Sequence, residues 1–197
     1  MCMTHATRSM PGMAGITPTA RVPLVLAWLD QVELAACRRL NGVIGGAGTR
    51  RLFQAASRLG DGILWYLVIT ALALGYGEAG RQAAMQCALA GISGLVLYRF
   101  LKNRLVRERP YMTHAAIICA GKPLDRFSFP SGHTLHAVSF TLIAVAAVPM
   151  LALLLVPAAL LIALSRVVLG LHYPSDVLAG ALLGAAVARV SMAIFGA

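Results

Sequence analysis

The sequence predicts an all-α fold, a polytopic transmembrane helix bundle preceded by amphipathic helices lying at the interface. Three observations carry this. Hydrophobic types make up 59% of the 197 residues, charged types only 12%, and mean hydropathy is +0.77; an average soluble domain is about 45–50% apolar and about 25% charged. The apolar residues come in runs near the length, roughly 20 residues, that a helix needs to cross hydrocarbon about 30 Å thick. From 134 to 164 no Asp, Glu, Lys or Arg occurs at all. Such hydrophobicity excludes disorder, and the length suits one compact bundle.

Residues 1–21 mix Thr, Gly, Pro and two Arg without apolar periodicity and read as a mobile N-terminal tail. A secretory signal is not expected, because the first apolar run, 22–29, is short and meets Asp30 and Glu33 instead of a cleavage site. Residues 22–60 form amphipathic interfacial helices. In the first, Leu24, Val25, Trp28, Val32, Ala35 and Ala36 share one side and Asp30, Gln31 and Glu33 the other. Gly42, Gly45, Gly46 and Gly48 break it. In the second, Leu52, Phe53, Ala56 and Leu59 oppose Arg50, Arg51, Gln54 and Arg58.

The remainder, 61–197, is the transmembrane domain. Spans are expected over 63–77 and 83–101, then two within the uncharged tract divided near Pro149. A last one covers 173–195, with Pro174 in its first turn, where a missing N–H costs nothing. That makes five spans, or six if 24–40 also crosses. The four cysteines lie 32 or more residues apart with no CxxC pair, so neither a disulfide framework nor a zinc site is legible and buried thiols are expected.

The charge needs a separate explanation. Seventeen basic residues face seven acidic ones, giving +10 and a pI near 10.4. In a soluble protein this would point to nucleic acid. In an apolar one it points to anionic headgroups or phosphorylated substrates, and no nucleic-acid partner is expected. Charges are costly inside a bilayer, so their placement is informative. Following the helix ends, Lys102, Arg109, Ser131, His133, Arg166, His172 and Asp176 all fall on one side of the membrane.

Each can be given a chemical role. Lys102, Arg109 and Arg166 suit the three peripheral oxygens of a phosphoryl group, the planar Arg fork matching phosphate in a bidentate way. Pro130-Ser131-Gly132-His133 opens an apolar helix, whose N–H groups and dipole favour an anion, with Gly132 allowing close approach. His172 and Asp176 stand four apart at a helix start, so the carboxylate can orient the ring and raise the basicity of its other nitrogen. This describes a histidine nucleophile, leaving His133 to protonate the leaving group as general acid. No further carboxylate accompanies the cluster for a two-metal mechanism, so metal-independent phosphoryl transfer through a phosphohistidine is expected, with no metal and no cofactor. His136, one turn deeper, is a weaker candidate for shaping the site. Arg104, Arg107 and Arg126 read as interfacial anchors, His114 as a solvated loop residue, Phe127 and Phe129 as a possible acyl entrance, and Gly91 and Gly94 as helix-packing positions.

Lys102 with Arg109-Pro110, then Pro130-Ser131-Gly132-His133, then Ser165-Arg166 with His172 and Asp176, resemble the three-part signature of the type-2 phosphatidic acid phosphatase superfamily, also called lipid phosphate phosphatases. The resemblance implies a helical membrane bundle that hydrolyses a lipid phosphomonoester or pyrophosphate, such as undecaprenyl diphosphate or phosphatidylglycerol phosphate. It also implies a phosphate pocket of Lys102, Arg109, Ser131, Gly132 and Arg166, nucleophile His172 supported by Asp176, and acid His133, which makes 61–197 the catalytic domain. For bacterial members it places the site on the outer face of the cytoplasmic membrane, although Arg104, Arg107, Lys122 and Arg126 on that face run against the positive-inside rule. The departure from the family lies in Asp30 and Glu33, which disturb its first span. Other readings of the cluster are transfer of the phosphoryl group to a lipid acceptor and non-enzymatic binding or transport of lipid phosphates. Vanadate-dependent halide oxidation, known in soluble relatives, is disfavoured by the apolar content.

Overall fold

The computed structural model of the chain describes residues 24–195, so the tail expected over 1–21 lies outside the described residues. Eight α-helices follow in order: α1 (Leu24–Asn41), α2 (Ala47–Leu59), α3 (Ile63–Gly75), α4 (Gly77–Arg104), the single turn α5 (Pro110–Thr113), α6 (Gly132–Ala147), α7 (Ala152–Val168) and α8 (Pro174–Ile194). Among the described residues the fold is helical, with one isolated bridge between Glu108 and Phe127. The uncharged tract breaks at Val148 into a 3-10 turn over Pro149–Leu151. Proline has no N–H for the ladder there, as its place in the sequence predicts.

Packing follows from residue size. Helix α8 runs along α6, and Gly180 and Gly184 make this possible. A Cβ on Gly180 would stand 2.5 Å from the Ser131 carbonyl oxygen, and one on Gly184 only 2.4 Å from that of Leu135. Gly94 admits Leu135 of α6 against α4 in the same manner. Small residues let helix backbones approach where lipid offers no hydrophobic drive. The core where α3, α4, α6 and α7 meet is built on Trp65, Leu72, Cys87, Phe140, Ile143 and Ile162. Outward, Leu74, Leu153, Leu160, Leu178 and Leu182 are all exposed, an apolar surface suited to lipid rather than water.

Among the described residues three helices are long and apolar enough to cross a membrane: Gly77–Arg104, Pro149–Val168 and Pro174–Ile194. A fourth arises if α2 and α3, bent by 48° at their break, count as one broken span. The expected five or six is not reached by this measure, because α3 has 13 residues and α6 has 16. At 1.5 Å per residue these extend only about 20–24 Å, short of a hydrocarbon core of about 30 Å.

Helix α1 differs from the expectation for its polar side. Trp28 and Val32 point outward, as an apolar face on lipid requires, but Asp30 and Glu33 face the protein. Beneath α1, Asn41 donates to the carbonyls of Ile118 and Val168 and accepts from the Ile118 N–H, fixing the helix end to the loop above α7. Helix α2 lies against α7 with Phe53, Ala56 and Ser57 buried, while Leu52 and Leu59 remain exposed. Cys37 and Cys87 are buried free thiols and Cys119 is half-buried.

Candidate active site

The ends of α4, α6, α7 and α8 converge, and the loop of 105–131 closes over them. Arg166 lies in the last turn of α7. Gly170, at φ +73, ends that helix in the left-handed conformation that glycine adopts without strain. The Leu171 and His172 N–H groups then both donate to the Arg166 carbonyl at 3.0 Å, which sets His172 beside Arg166. Any side chain at position 170 would also meet the Ile118 carbonyl oxygen at 2.7 Å.

A cavity of about 600 Å³ opens here. Lys102, Arg109, Gly132, His133, Arg166 and His172 line its polar end, and its walls are largely apolar, with Trp65, Tyr66, Ile69, Ile92, Leu95 and Phe140. His136 lines it too, its Nδ1 3.0 Å from the Gly132 carbonyl. Neither Phe127 nor Phe129 does, so the aromatic wall comes from α3, α4 and α6 instead, with Trp65, Tyr66, Tyr98 and Phe140. Asp176 and Ser131 are fully buried behind the lining. Ser131 is the N-cap of α6, its hydroxyl oxygen accepting from the Thr134 N–H, and its own N–H donates to the Asp176 carbonyl at 3.0 Å. That N–H is therefore engaged in joining α6 to α8.

Lys102, Arg109, His133, Arg166, His172 and Asp176 are each at least nine-tenths buried, so each needs a partner. Arg109 Nη1 donates to the Leu171 carbonyl at 2.7 Å and lies 3.2 Å from His172 Nε2. Arg166 is held by the Ser57 hydroxyl from α2, with its Nε left without a partner among the described residues. His172 Nδ1 is 3.5 Å from Asp176 Oδ2, an ion-pair distance that falls outside hydrogen-bond geometry. Burial first, then the positive charges of Arg109, Arg166 and Lys102, holds the His172 imidazole well below the usual histidine range. The ring is neutral at physiological pH, the form in which nitrogen carries a lone pair.

Four carboxylates that the motif reading left out complete the site. Asp125 accepts from Lys102 Nζ through both oxygens at 2.8 Å and from Arg109 Nη2 at 2.8 Å. Burial opposes its ionisation, but the hydrogen bonds and charges of Lys102 and Arg109 outweigh that and keep the carboxyl below its ordinary range. Asp61, between α2 and α3, lies 2.6 Å from His133 Nε2. Gly60 beside it has room for no side chain, since a Cβ would meet Ile162 at 2.8 Å and the His133 ring at 3.1 Å. Asp30 and Glu33 bind Arg107, which is fully buried and not an interfacial anchor as expected; Arg126 and Arg104 do lie exposed. Its Nη1 donates to Asp176 Oδ1 at 2.6 Å. His114, expected in solvent, is half-buried. These partners sit 16 to 77 residues from the groups they contact, so only the burial of a cation could have announced them. Among the described residues no three His, Cys, Asp or Glu side chains are grouped to hold a metal ion.

The chain is similar to known proteins over most of its length. Decaprenylphosphoryl-5-phosphoribose phosphatase of Mycobacterium tuberculosis is 31% identical over 160 residues, covering 79% of this chain and 86% of that protein. An undecaprenyl-diphosphatase of Sulfolobus acidocaldarius is 29% identical over 140 residues, covering 70% of this chain and 66% of the relative. The crystal structure of Aquifex aeolicus LpxE superposes with a TM-score of 0.71 at 26% identity, covering 82% of this chain and 95% of that one. The sequence profile of the PAP2 superfamily matches residues 83–197, a stretch that holds all three motifs and the whole cationic cluster. Helical architecture, motif residues brought to one cavity and these similarities agree: the chain belongs to the PAP2 superfamily of type-2 phosphatidic acid phosphatases.

Proposed function

We propose that the protein is a membrane lipid phosphatase that removes a terminal phosphate from a phosphomonoester or diphosphate headgroup through a phosphohistidine on His172. The observation that carries this reading is the meeting of three buried cations with the buried His172 imidazole at the polar end of a largely apolar cavity. Such a cavity takes a phosphate headgroup at one end and lipid chain along the other. Two relatives are named as phosphatases of decaprenylphosphoryl-5-phosphoribose and undecaprenyl diphosphate, and the cavity's apolar walls fit a chain of that kind.

In the first step His172 Nε2 attacks phosphorus, forming the N–P bond as the bond to the leaving oxygen breaks. Lys102, Arg109 and Arg166 carry the charge on the peripheral oxygens. Arg109, already 3.2 Å from Nε2, places a donor beside the attacked atom. Asp176 stabilises the ring as it becomes cationic. His133, held by Asp61, gives its proton to the leaving oxygen. In the second step the neutral His133 takes a proton from water, which attacks phosphorus, breaks the N–P bond and yields inorganic phosphate. With the carboxylates each engaged by Lys, Arg or His, the residues present suit metal-independent chemistry.

Phosphate release from a panel of purified lipid phosphates and diphosphates in detergent tests the reading. His172→Ala is expected to abolish turnover while the protein keeps its thermal midpoint, vanadate to inhibit, and activity to persist in excess chelator. Full activity of His172→Ala, or stoichiometric lipid binding without phosphate release, would overturn it.

A further inference from the structure

We infer that helix α1 belongs to the catalytic apparatus: Glu33 and Asp30, through the buried guanidinium of Arg107, position Asp176 and charge the rear of His172. This rests on the reading of His172 as nucleophile. Glu33 and Asp30 lie outside the stretch 83–197 that the superfamily profile covers.

Arg107 is 0% exposed and contacts three carboxylates. Nε donates to Asp30 Oδ1 at 2.7 Å, Nη2 to Glu33 Oε2 at 3.0 Å and Nη1 to Asp176 Oδ1 at 2.6 Å. Nη1 also donates to the Ser175 hydroxyl at 2.6 Å, and the guanidinium lies 4.0 Å over the Tyr173 ring. Glu33 grips the start of α8 as well. It accepts from the Ser175 N–H at 2.6 Å and from the Ser175 hydroxyl at 2.7 Å. With Oδ1 held by Arg107 and Oδ2 held by the Tyr173 N–H at 2.9 Å, the Asp176 carboxylate cannot turn away from His172. Of these two holds, the one by Arg107 is itself gripped from α1, whose Glu33 also reaches Ser175 across 142 residues of sequence.

Charge gives the arrangement a second consequence. One guanidinium meets three carboxylates, so negative charge is in excess behind the imidazole. In front stand Lys102, Arg109 and Arg166, which oppose positive charge on the ring. Attack on phosphorus makes the ring cationic, and the surplus anions then offset the front cations in a buried site where such effects are strong. A hydrophobic contact would tether α1 equally well. Asp176 alone would neutralise the guanidinium; Asp30 and Glu33 add negative charge beyond that need, on the side of the nucleophile's own partner.

The test compares Glu33→Gln, which keeps the side chain's shape and removes its charge, with Val32→Ala on the outward face of α1. Steady-state kinetics are measured on a lipid phosphate, alone and in an Asp176→Asn background. Glu33→Gln is expected to lower kcat about tenfold with KM within twofold of the parent, and Val32→Ala to change neither. In the Asp176→Asn background the same substitution should cost less than twofold, because its route to the ring is gone. Asp30→Asn, on the same guanidinium, carries the identical comparison if Glu33→Gln does not fold. A rise in KM in place of the kcat loss, unchanged kcat, or equal losses in both backgrounds would overturn the inference. His172→Ala tests the underlying reading separately: an inactive His172→Ala beside a fully active Glu33→Gln rejects only the role of α1.

Discussion

Replacing Asp125 with Asn should make this enzyme bind phosphate more tightly. The Asp125 carboxylate engages two of the three cations assigned to the substrate, both oxygens lying 2.8 Å from Lys102 Nζ and one lying 2.8 Å from Arg109 Nη2. A phosphate that takes those donors must first displace it. Hydrogen bonds to charged groups are worth about 1.5–3 kcal/mol each when well enclosed. Asp125 is 38% exposed, so screening reduces the difference between carboxylate and amide to about 1 kcal/mol, or about fivefold in affinity. The assay is competitive inhibition by inorganic phosphate at fixed ionic strength, with KM for a lipid phosphate measured alongside. Asp125→Asn should lower both constants about fivefold and leave kcat unchanged or reduced, since tighter product leaves more slowly. The carboxyl is held below its ordinary range, so the competition persists at neutral pH and fades only as pH falls through that lowered value. An inhibition constant that stays equal or rises in Asp125→Asn would refute the displacement argument and make Asp125 a positive element of phosphate binding.

Other expectations follow from the same geometry. Asp61→Asn removes the negative charge 2.6 Å from His133 Nε2 and should reduce kcat about tenfold on an alkyl phosphate. It should act much less on an aryl phosphate, whose leaving group needs no proton; equal losses on both would count against an orienting role. Gly184→Ala places a Cβ against the Leu135 carbonyl and should cost about 1–3 kcal/mol, read as a lower denaturation midpoint in detergent. Gly180→Ala presses instead on Ser131 and should lower kcat as well. His172 is held neutral well below the usual range, so the unfolded chain binds more protons than the folded one as pH falls past about 6.5. Stability is then fully present above that pH and declines below it. In histidine-labelled protein the His172 nitrogens should keep neutral-ring shifts at pH 6, and a titration midpoint near 6.5 would contradict the burial argument.

Much of the candidate site was legible because its signature is short-range. Lys102 and Arg109, or His172 and Asp176, are close enough in sequence for spacing alone to suggest a shared face, and alternating helix ends bring the three motifs to one side. Other features were not. Asp61, Asp125, Asp30 and Glu33 carry no local pattern that separates a buried partner from a solvated charge. Arg107 was read as an anchor on the assumption that a charge near a span end reaches water, and the wheel projection of α1 sent Asp30 and Glu33 outward for the same reason. The structure turns that polar side inward because a fully buried guanidinium must be neutralised, and the outward side of α1 can meet lipid with Trp28 and Val32.

By itself, then, the sequence determined the helical membrane class and the family motifs whose residues meet at the cavity, since hydrophobic run length and residue spacing within single elements are local quantities. Only the tertiary structure decided the extent of the spans, the cavity that joins cations to apolar walls, and which carboxylate answers which cation. Those depend on where distant segments pack, and in a low-dielectric interior the pairing of each buried charge is settled by whichever partner the fold brings within hydrogen-bond reach.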